Sequence, residues 1–358
     1  MSPVPKAPFN AWLVPAGRLL LLLGLCFLIA GPWVCSIPQL QLLTQFLSLL
    51  VIAIMWNLLA GYADIVSVGQ HAFVGIGAYA FFGFAVFAGF SPYLALLAGG
   101  ATALVFAVPV MLIIFRLRAA YLAVGSWVVA ETLMLGAGKL TAFGGGSGVS
   151  MPVSVVRSLG VQPALRYSHI YWLALAVAAV ALATTWLLMR SRIGLGLTAM
   201  RDNEEGAGSV GVNLIRSRIL CFLWTAPFLG LAGGIITLQK LRVAPPASFS
   251  ITDWTVYVIF IVVIGGIGSF EGPIIGTVVF FLIRQYLAEI GVWHFIILGM
   301  LSIGVIMVEP RGLWGILRRV VPGDLIPVSH RPPARPLAGS DSAPSGTHLK
   351  EPHSTPAG

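Results

Sequence analysis

The sequence predicts an all-α integral membrane protein, a bundle of about ten transmembrane helices. Of its 358 residues, 58% are hydrophobic and only 9% are charged, and its mean hydropathy is +0.94. A soluble globular domain carries about 25% charged residues, so most of this chain has too little polar surface to lie in water. Apolar runs of roughly 20 residues recur along the chain, and each is long enough to cross a hydrocarbon core about 30 Å thick.

The apolar runs define the predicted spans in chain order. They lie at about residues 19–36, 40–60, 71–90, 92–115, 119–138, 170–189, 219–239, 254–266, 272–290 and 294–309. The first run is longer than the apolar region of a usual signal peptide, and no small-residue cleavage site follows it, so we interpret it as a retained span. Glycine interrupts or shortens the eighth and ninth runs, which predicts broken helices there.

Basic residues between the runs predict the orientation. Cytoplasmic loops of membrane proteins are enriched in lysine and arginine. With the N-terminus in the cytoplasm, most basic residues fall on the inner side, and an even number of spans keeps Arg311, Arg318 and Arg319 there too. Both termini are therefore predicted to be cytoplasmic. The basic residues left on the outer side are Lys139, Arg157, Arg166, Lys240 and Arg242.

The chain divides into three predicted parts. Residues 1–18 form a cytoplasmic N-terminal segment, and residues 19–320 form the transmembrane domain, with a long cytoplasmic loop at 190–218. A second long loop, on the outer side, contains the flexible glycine run Gly144–Gly148. Residues 321–358 are rich in Pro, Ser, Gly and His and are predicted to be a disordered cytoplasmic tail.

Composition and motifs exclude several functional classes. The formal net charge is +9, but no folded basic patch is interleaved with aromatic residues, which argues against nucleic-acid binding. Cys26, Cys35 and Cys221 form no CxxC motif and no Cys/His cluster, so neither a disulfide framework nor a metal site is predicted. No catalytic cluster is found, and we do not expect an enzyme.

The cytoplasmic loop carries the most informative segment. Arg201 and acidic residues precede a short helix of small residues that ends near a glycine. A membrane protein driven by an external motor needs a rigid element in such a loop to transmit movement to its spans. The alternative is an ordinary solvated connector between two spans.

This segment resembles a known family. Arg201-Asp202-Asn203-Glu204, followed by Ala207 and Gly211, is similar to the cytoplasmic coupling motif of branched-chain amino-acid ABC transporter permeases of the LivM type. Further blocks match in the same order and spacing between about residues 49 and 316, which makes the resemblance specific. They are Asn57 to Ala63, Ser67 to Tyr79, Leu117-Arg118 with Tyr121 and Glu131, Gly144 to Gly148, Gly230 to Gly234, Gly265 to Gly276, and Pro310 to Leu313.

The resemblance implies a function and a set of partners. The chain is expected to be the membrane-spanning permease subunit of an importer for branched-chain amino acids or a related small solute, in the bacterial inner membrane. Its implied partners are a second homologous permease, a pair of cytoplasmic ATPase subunits and an extracytoplasmic solute-binding protein. ATP and Mg are expected on the ATPase subunits and no cofactor on this chain, which lacks a GxxxxGK[ST] loop.

The chain departs from the family pattern at a few positions. At Glu205, Gly206 and Gly208, the family usually has an apolar residue, an alanine and a glutamate, respectively. Asp64 and Glu271 add charge where the family is commonly uncharged. The alternative function is an ion-gradient-driven secondary transporter, which needs an intramembrane carboxylate as its coupling group. Glu131 is the candidate for that group.

Two stretches, Gly61 to Gly77 and Gly265 to Gly276, interrupt apolar runs with glycine, and these first and second glycine breaks are candidates for the translocation path. Broken helices in transporters expose backbone groups that can contact a substrate, whereas small residues also allow close helix packing. His71 is either a path residue or a hydrogen-bonded structural histidine. The candidate path residues are Asn57, Gly61, Ser67, Gly69, His71, Glu131, Gly265, Gly266 and Gly268.

Two charges lie deep within predicted spans. Glu131 and Arg284 are each roughly 16–18 Å from a predicted span end at a rise of 1.5 Å per residue. Intramembrane charges are costly and are usually paired. We therefore predict an ion pair between Glu131 and Arg284; the alternative is that Arg284 snorkels to the outer interface and Glu131 is protonated.

Overall fold

The computed structural model describes residues 13–117, 120–287, 293–309 and 311–320, and these are mostly helical. The predicted disordered tail, most of the N-terminal segment, Arg118 and Pro310 lie outside the described residues. The helices are α1 (Leu13–Val34), α2 (Ile37–Asn57), α3 (His71–Val86), α4 (Pro92–Ile114), α5 (Ala120–Ala137), α6 (Val153–Ser158), α7 (Pro163–Arg190), α8 (Arg192–Asp202), α9 (Glu204–Ser209), α10 (Leu214–Lys240), α11 (Pro245–Ser248), α12 (Tyr257–Gly265), α13 (Gly272–Leu287), α14 (Trp293–Val308) and α15 (Gly312–Val320).

The predicted class, an all-α polytopic membrane protein, is confirmed. Within the described residues, five helical segments are long and apolar enough to cross a membrane, and the number rises to seven if each of two bent helix pairs forms one span. Three further apolar helices are shorter, and each of the predicted runs overlaps one helix. The five long segments are Ile37–Tyr62, Pro92–Ile114, Pro163–Arg190, Leu214–Lys240 and Pro245–Gly265.

Glycines bring the central helices into backbone contact. Helix α10 packs on both α3 and α4, and these two also pack on each other. A methyl group on Gly77 of α3 would overlap the Gly230 carbonyl of α10, and one on Gly233 would overlap the Val74 carbonyl. Small residues at such crossings allow the close approach on which helix packing within a membrane depends.

We expect Gly233→Ala to destabilise the bundle. The added methyl group would overlap the Val74 carbonyl oxygen and lie 3.0 Å from the Ala78 nitrogen. Overpacking of this kind costs about 1–3 kcal/mol, so the thermal unfolding midpoint in detergent should fall. Gly299→Ala on α14 is the control, because no atom lies within 4 Å of the new methyl group there. An unchanged midpoint for Gly233→Ala would show that this crossing tolerates separation.

The two glycine breaks lie in connections between helices. The first break follows α2. It consists of a π-helical turn, Leu58–Tyr62, and an irregular segment that leads from there to α3. The second break runs from the end of α12 to the start of α13, and its Gly266 and Gly268 have φ values of +126° and +71°. These values explain the glycines, since L-residues with side chains rarely adopt them.

The connections at the opposite end of the bundle are joined by a short sheet. Strands β1 (Val149–Ser150) and β2 (Arg242–Val243) pair antiparallel, with Val149 opposite Val243. The Arg242 guanidinium donates to the Ser147 carbonyl at 2.6 Å. The predicted flexible run Gly144–Gly148 is thus folded into a short 3₁₀ turn that leads into β1.

Candidate coupling and gating site

The long loop at 190–218, which is predicted to be cytoplasmic, forms two helices rather than one. The predicted short helix is α9, which begins after Asn203, and the side-chain oxygen of Asn203 accepts from the Gly206 amide at 2.9 Å. Helix α8 precedes it and was not predicted; its Leu197 and Met200 are buried against the bundle. The loop therefore contains a packed, capped element instead of a loose connector. The Ala207 side chain is buried, and Gly211, at φ +89°, follows the end of α9.

Arg201 attaches this element to the second glycine break. Its guanidinium donates to the Gly268 carbonyl at 2.7 Å and to the Asp202 carboxylate at 2.9 Å. The same group lies 5.4 Å from the centre of the Tyr62 ring, at the end of the first break. Hydrogen bonds from a charged donor are stronger than neutral ones, so this bond holds α8 against the Gly268 turn.

Asn57 joins the two breaks to each other. Its side-chain amide nitrogen donates to the Ser269 carbonyl at 2.8 Å, and its oxygen accepts from the Gly268 amide at 2.8 Å. Asn57 is 3% exposed, so both bonds are shielded from water. A Cβ on Gly61 would lie 2.5 Å from the Gly268 nitrogen, which shows how closely the two backbones approach.

Arg218 links the loop to the first break from the other side. Its guanidinium is 3.0 Å from the Glu204 carboxylate and 3.7 Å from the Asp64 carboxylate, and its Nε donates to the Ala63 carbonyl at 3.2 Å. Helices α9 and α10 and the first break are thereby connected through one side chain. The charge of Asp64, which is unusual for the resembled family, has its counterpart here.

The second break also contacts the C-terminal helix α15. Gly266 lies against the Arg311 carbonyl, just before α15, and the Glu309 carboxylate pairs with Arg319 of that helix. Within the break, the Ser269 hydroxyl donates to the Gly266 carbonyl at 2.7 Å and accepts from the Gly272 amide at 3.1 Å. Four parts of the chain thus meet at one end of the bundle. They are the first break, the α8–α9 loop, the second break and the start of α15.

His71 is anchored in the protein interior. Its Nδ1 lies 3.1 Å from both the Val68 carbonyl and the Thr255 hydroxyl, and the residue is fully buried. Gly69 and Val68 donate their amides to the Ser126 hydroxyl at 3.2 and 3.1 Å. These contacts support the structural interpretation of His71; its role in the path stays a prediction. Ser67 is buried beside them, and its carbonyl accepts from the Trp56 indole at 3.0 Å.

The predicted ion pair between Glu131 and Arg284 is not formed in the described part of the chain. The Arg284 guanidinium lies over the Tyr257 ring, 5.1 Å from its centre. Helix α5, which carries Glu131, packs on α3, α4 and α11, whereas α13 packs on α2, α12, α14 and α15. Similar depth in the membrane does not bring two residues together when their helices pack on different neighbours.

The structure assembles most of the predicted site residues and adds others. Arg201, Asn57, Gly61, Gly266 and Gly268 meet at one end, and Gly265 packs beside them on α13; Glu131 lies away from this cluster. Sequence reasoning missed the residues whose partners are distant in the chain. They are Tyr62, Asp64, Arg218 and Ser269. Among the described residues, no group of three or more His, Cys, Asp or Glu side chains is placed to hold a metal ion.

The chain matches a family model and several characterised proteins. The model describes the permease component of branched-chain amino acid transport systems and matches residues 39–308. The high-affinity branched-chain amino acid transport system permease protein LivM of Salmonella typhimurium is 25% identical over 329 residues, which cover 84% of this chain and 76% of that protein. The LivM protein of Escherichia coli is 24% identical, with the same coverage.

A more distant relative belongs to another import system. The autoinducer 2 import system permease protein LsrC of Klebsiella pneumoniae is 26% identical over 187 residues, which is 50% of this chain and 53% of that protein. No solved structure matches the chain. The relatives thus share a role as permeases, while the solutes in their names differ.

Proposed function

This chain belongs to the family of permease components of branched-chain amino acid transport systems, and from this membership we propose that it forms part of the translocation path of an ATP-driven importer for branched-chain amino acids or a related small solute. The observation that carries the mechanism is the bond from Arg201 of α8 to the Gly268 carbonyl. In the proposed topology, this bond connects a cytoplasmic element directly to a break between two spans.

We propose ten membrane crossings with both termini in the cytoplasm. In this topology α1, α2, α3, α4, α5, α7, α10, α11–α12, α13 and α14 each supply one span. The contacts of Arg201 with Gly268 and of Arg218 with Ala63 support it, because every connection involved would then be cytoplasmic. The β1–β2 pair joins connections that would lie on the outer side.

In the proposed mechanism, the α8–α9 loop receives the movement of the ATPase subunits. Arg201 transmits a shift of α8 to the Gly266–Gly268 turn, which Asn57 holds against the first break. When the turn is drawn away, Asn57 loses its partners and the inner ends of α2 and α12 separate. Access then changes at the cytoplasmic side. ATP binding and hydrolysis supply the energy, with ATP and Mg on the partner subunits.

The proposed assembly contains a second homologous permease, a pair of ATPase subunits and an extracytoplasmic solute-binding protein, in a bacterial inner membrane. The separate permease proteins LivM and LivH, both named for branched-chain amino acid transport among the relatives, support a pair of different permeases. In the proposed topology, the side of α8 and α9 that faces away from the membrane is available to bind the ATPase subunits.

The proposal is tested by purifying the tagged chain from its native membrane in mild detergent and identifying the proteins that co-purify. We expect a second permease and ATPase subunits. The complex, reconstituted in liposomes with its binding protein, should take up labelled leucine, isoleucine or valine only when ATP is supplied. A chain that purifies alone and moves solute on a proton or sodium gradient would overturn the proposal and make Glu131 the residue to study.

A further inference from the structure

A cavity of 720 Å³ lies between α3, α4, α5 and the segment after α5, away from the coupling and gating site. Its walls are formed largely by aromatic rings. Phe143 packs on Tyr79 and Phe87 with ring centres 5.2 and 5.3 Å apart, and Phe249 packs on Tyr79 at 5.7 Å. Part of the cavity wall is therefore formed by aromatic side chains that pack on one another.

The chemistry of the walls excludes a charged ligand. None of the described residues that line the cavity is ionised at neutral pH. The hydroxyl groups of Thr102 and Thr132 already donate to the Ala98 and Val128 carbonyls, each at 2.8 Å. Tyr79 Oη is buried and has no hydrogen-bond partner. Among the described wall residues, the ammonium and carboxylate groups of an amino acid would thus find no ion-pair partner and only one free hydroxyl, that of Tyr79. Burying both charges there would be costly, so we expect an occupant that is mostly hydrocarbon.

The cavity runs from a lipid-accessible rim to a buried end. Phe87 and Phe106 at the rim are 58% and 42% exposed, whereas Tyr79 and Phe249 are 6% and 3% exposed. Phe106 lies near the middle of α4, one of the long membrane-spanning helices, so its exposed ring is at the depth of the hydrocarbon core. The opening of the cavity therefore faces the region that lipid chains occupy.

The length of the cavity matches one leaflet. Lining residues on α3 and in the turn that follows it extend from Ile76 to Phe87, which corresponds to about 16 Å at a helical rise of 1.5 Å per residue. Half of a hydrocarbon core is about 15 Å thick. We propose that this cavity is a lipid site that takes one acyl chain of a membrane phospholipid between α3, α4 and α5.

The site has a consequence for the proposed transporter. Among the described helices, α5 packs mainly on α3, α4 and α11, and its Ser126 hydroxyl also accepts from the Val68 and Gly69 amides. An acyl chain between α5 and the α3–α4 pair would fill the space that separates them and would hold α5 in position. Lipid binding at this site would then stabilise one arrangement of the outer half of the bundle, independently of which solute is carried.

The test counts the phospholipids that the purified complex retains after extensive detergent washing, by native mass spectrometry, and locates them by electron cryomicroscopy. Gly136 lines the cavity, and a Cβ there meets no atom within 4 Å, so the side chain of Gly136→Leu has room to start and would occupy part of the cavity. Displacing about two methylenes of a buried chain weakens its binding about tenfold. We expect Gly136→Leu to lose the retained lipid and Gly299→Leu, which has equally open surroundings on α14, to keep it.

Tyr79→Phe distinguishes an acyl chain from a polar ligand. The variant removes the one buried wall hydroxyl that lacks a partner and leaves the shape of the cavity unchanged. An acyl chain should be retained as well as before or better, because a buried hydroxyl without a partner is unfavourable. Loss of the ligand in Tyr79→Phe would overturn the proposal in favour of a ligand that hydrogen-bonds Tyr79. A cavity filled by a side chain of the second permease in the complex, or empty in the wild type, would also overturn it.

Discussion

We expect Arg201→Ala to abolish most ATP-driven solute uptake while the ATPase subunits remain bound. The substitution removes the bond to the Gly268 carbonyl and the contact with the Tyr62 ring, and these connect α8 to both glycine breaks. A hydrogen bond from a charged donor contributes about 1.5–3 kcal/mol. If this free energy is lost from the coupling between α8 and the glycine breaks, the equilibrium that couples them weakens by a factor of about 10 to 150.

The measurements are uptake into liposomes and ATP hydrolysis on the same preparation. ATP hydrolysis should continue after uptake is lost, since the motor is intact and only its connection is broken. Arg201→Lys should retain part of the uptake, because an ammonium group can reach one carbonyl but does not reproduce the planar fork of guanidinium. Arg192→Ala is the control: Arg192 is an exposed arginine at the start of the same helix.

Two outcomes would contradict this role for Arg201. If uptake is unchanged in Arg201→Ala, the contact with Gly268 does not transmit movement. If the ATPase subunits dissociate from the variant, Arg201 contributes to the interface with the motor and not to the connection behind it.

We expect Asn57→Ala to lower the thermal unfolding midpoint of the purified complex and to uncouple ATP hydrolysis from uptake. The substitution leaves the Gly268 amide and the Ser269 carbonyl without their side-chain partner in a buried position. Each buried group that loses its partner costs about 1–3 kcal/mol. The second break would no longer be held against the first, so the inner end should open without the movement of α8.

A second variant and a control make this result interpretable. Asn57→Asp keeps an acceptor for the Gly268 amide, but its ionised carboxylate cannot donate to the Ser269 carbonyl and would bury a charge beside that oxygen, so we expect it not to restore the midpoint. Asn213→Ala is the matched control, because Asn213 caps α10 in an exposed position through the Arg216 amide. Loss of a cap costs about 1 kcal/mol and should leave coupling intact. Equal effects of Asn57→Ala and Asn213→Ala on the midpoint and on coupling would show that the bonds of Asn57 between the two breaks have no special role.

Much of the fold was predictable because membrane insertion is decided segment by segment. A bilayer requires about 20 apolar residues for a helix that crosses it, and this requirement is visible in composition alone. The predicted run at 40–60 corresponds to Ile37–Tyr62, and that at 92–115 to Pro92–Ile114. The predicted family is confirmed by the match over residues 39–308.

Helix boundaries near polar or proline-containing segments were less predictable. The eighth predicted run began at 254, whereas the helical segment begins at Pro245 and passes through a π-helical turn at Thr252–Val256. Helix α8 was missed for two reasons. Only two large side chains, Leu197 and Met200, mark its buried face, and its two glycines lower its intrinsic helix propensity. Its stability comes from packing against the bundle, which composition does not reveal.

The sequence by itself determined the class of the protein, its family, the approximate positions of the apolar helices and the segment that contains Arg201. The tertiary structure decided which residues meet. Asn57 reaches Ser269 across 212 positions of the chain, and Arg201 reaches Gly268 across 67. It also separated Glu131 from Arg284, which similar depth had suggested to be partners. The reason is physical: depth in a membrane follows from local hydrophobicity, whereas contacts between helices depend on how small residues such as Gly77 and Gly233 allow distant segments to pack.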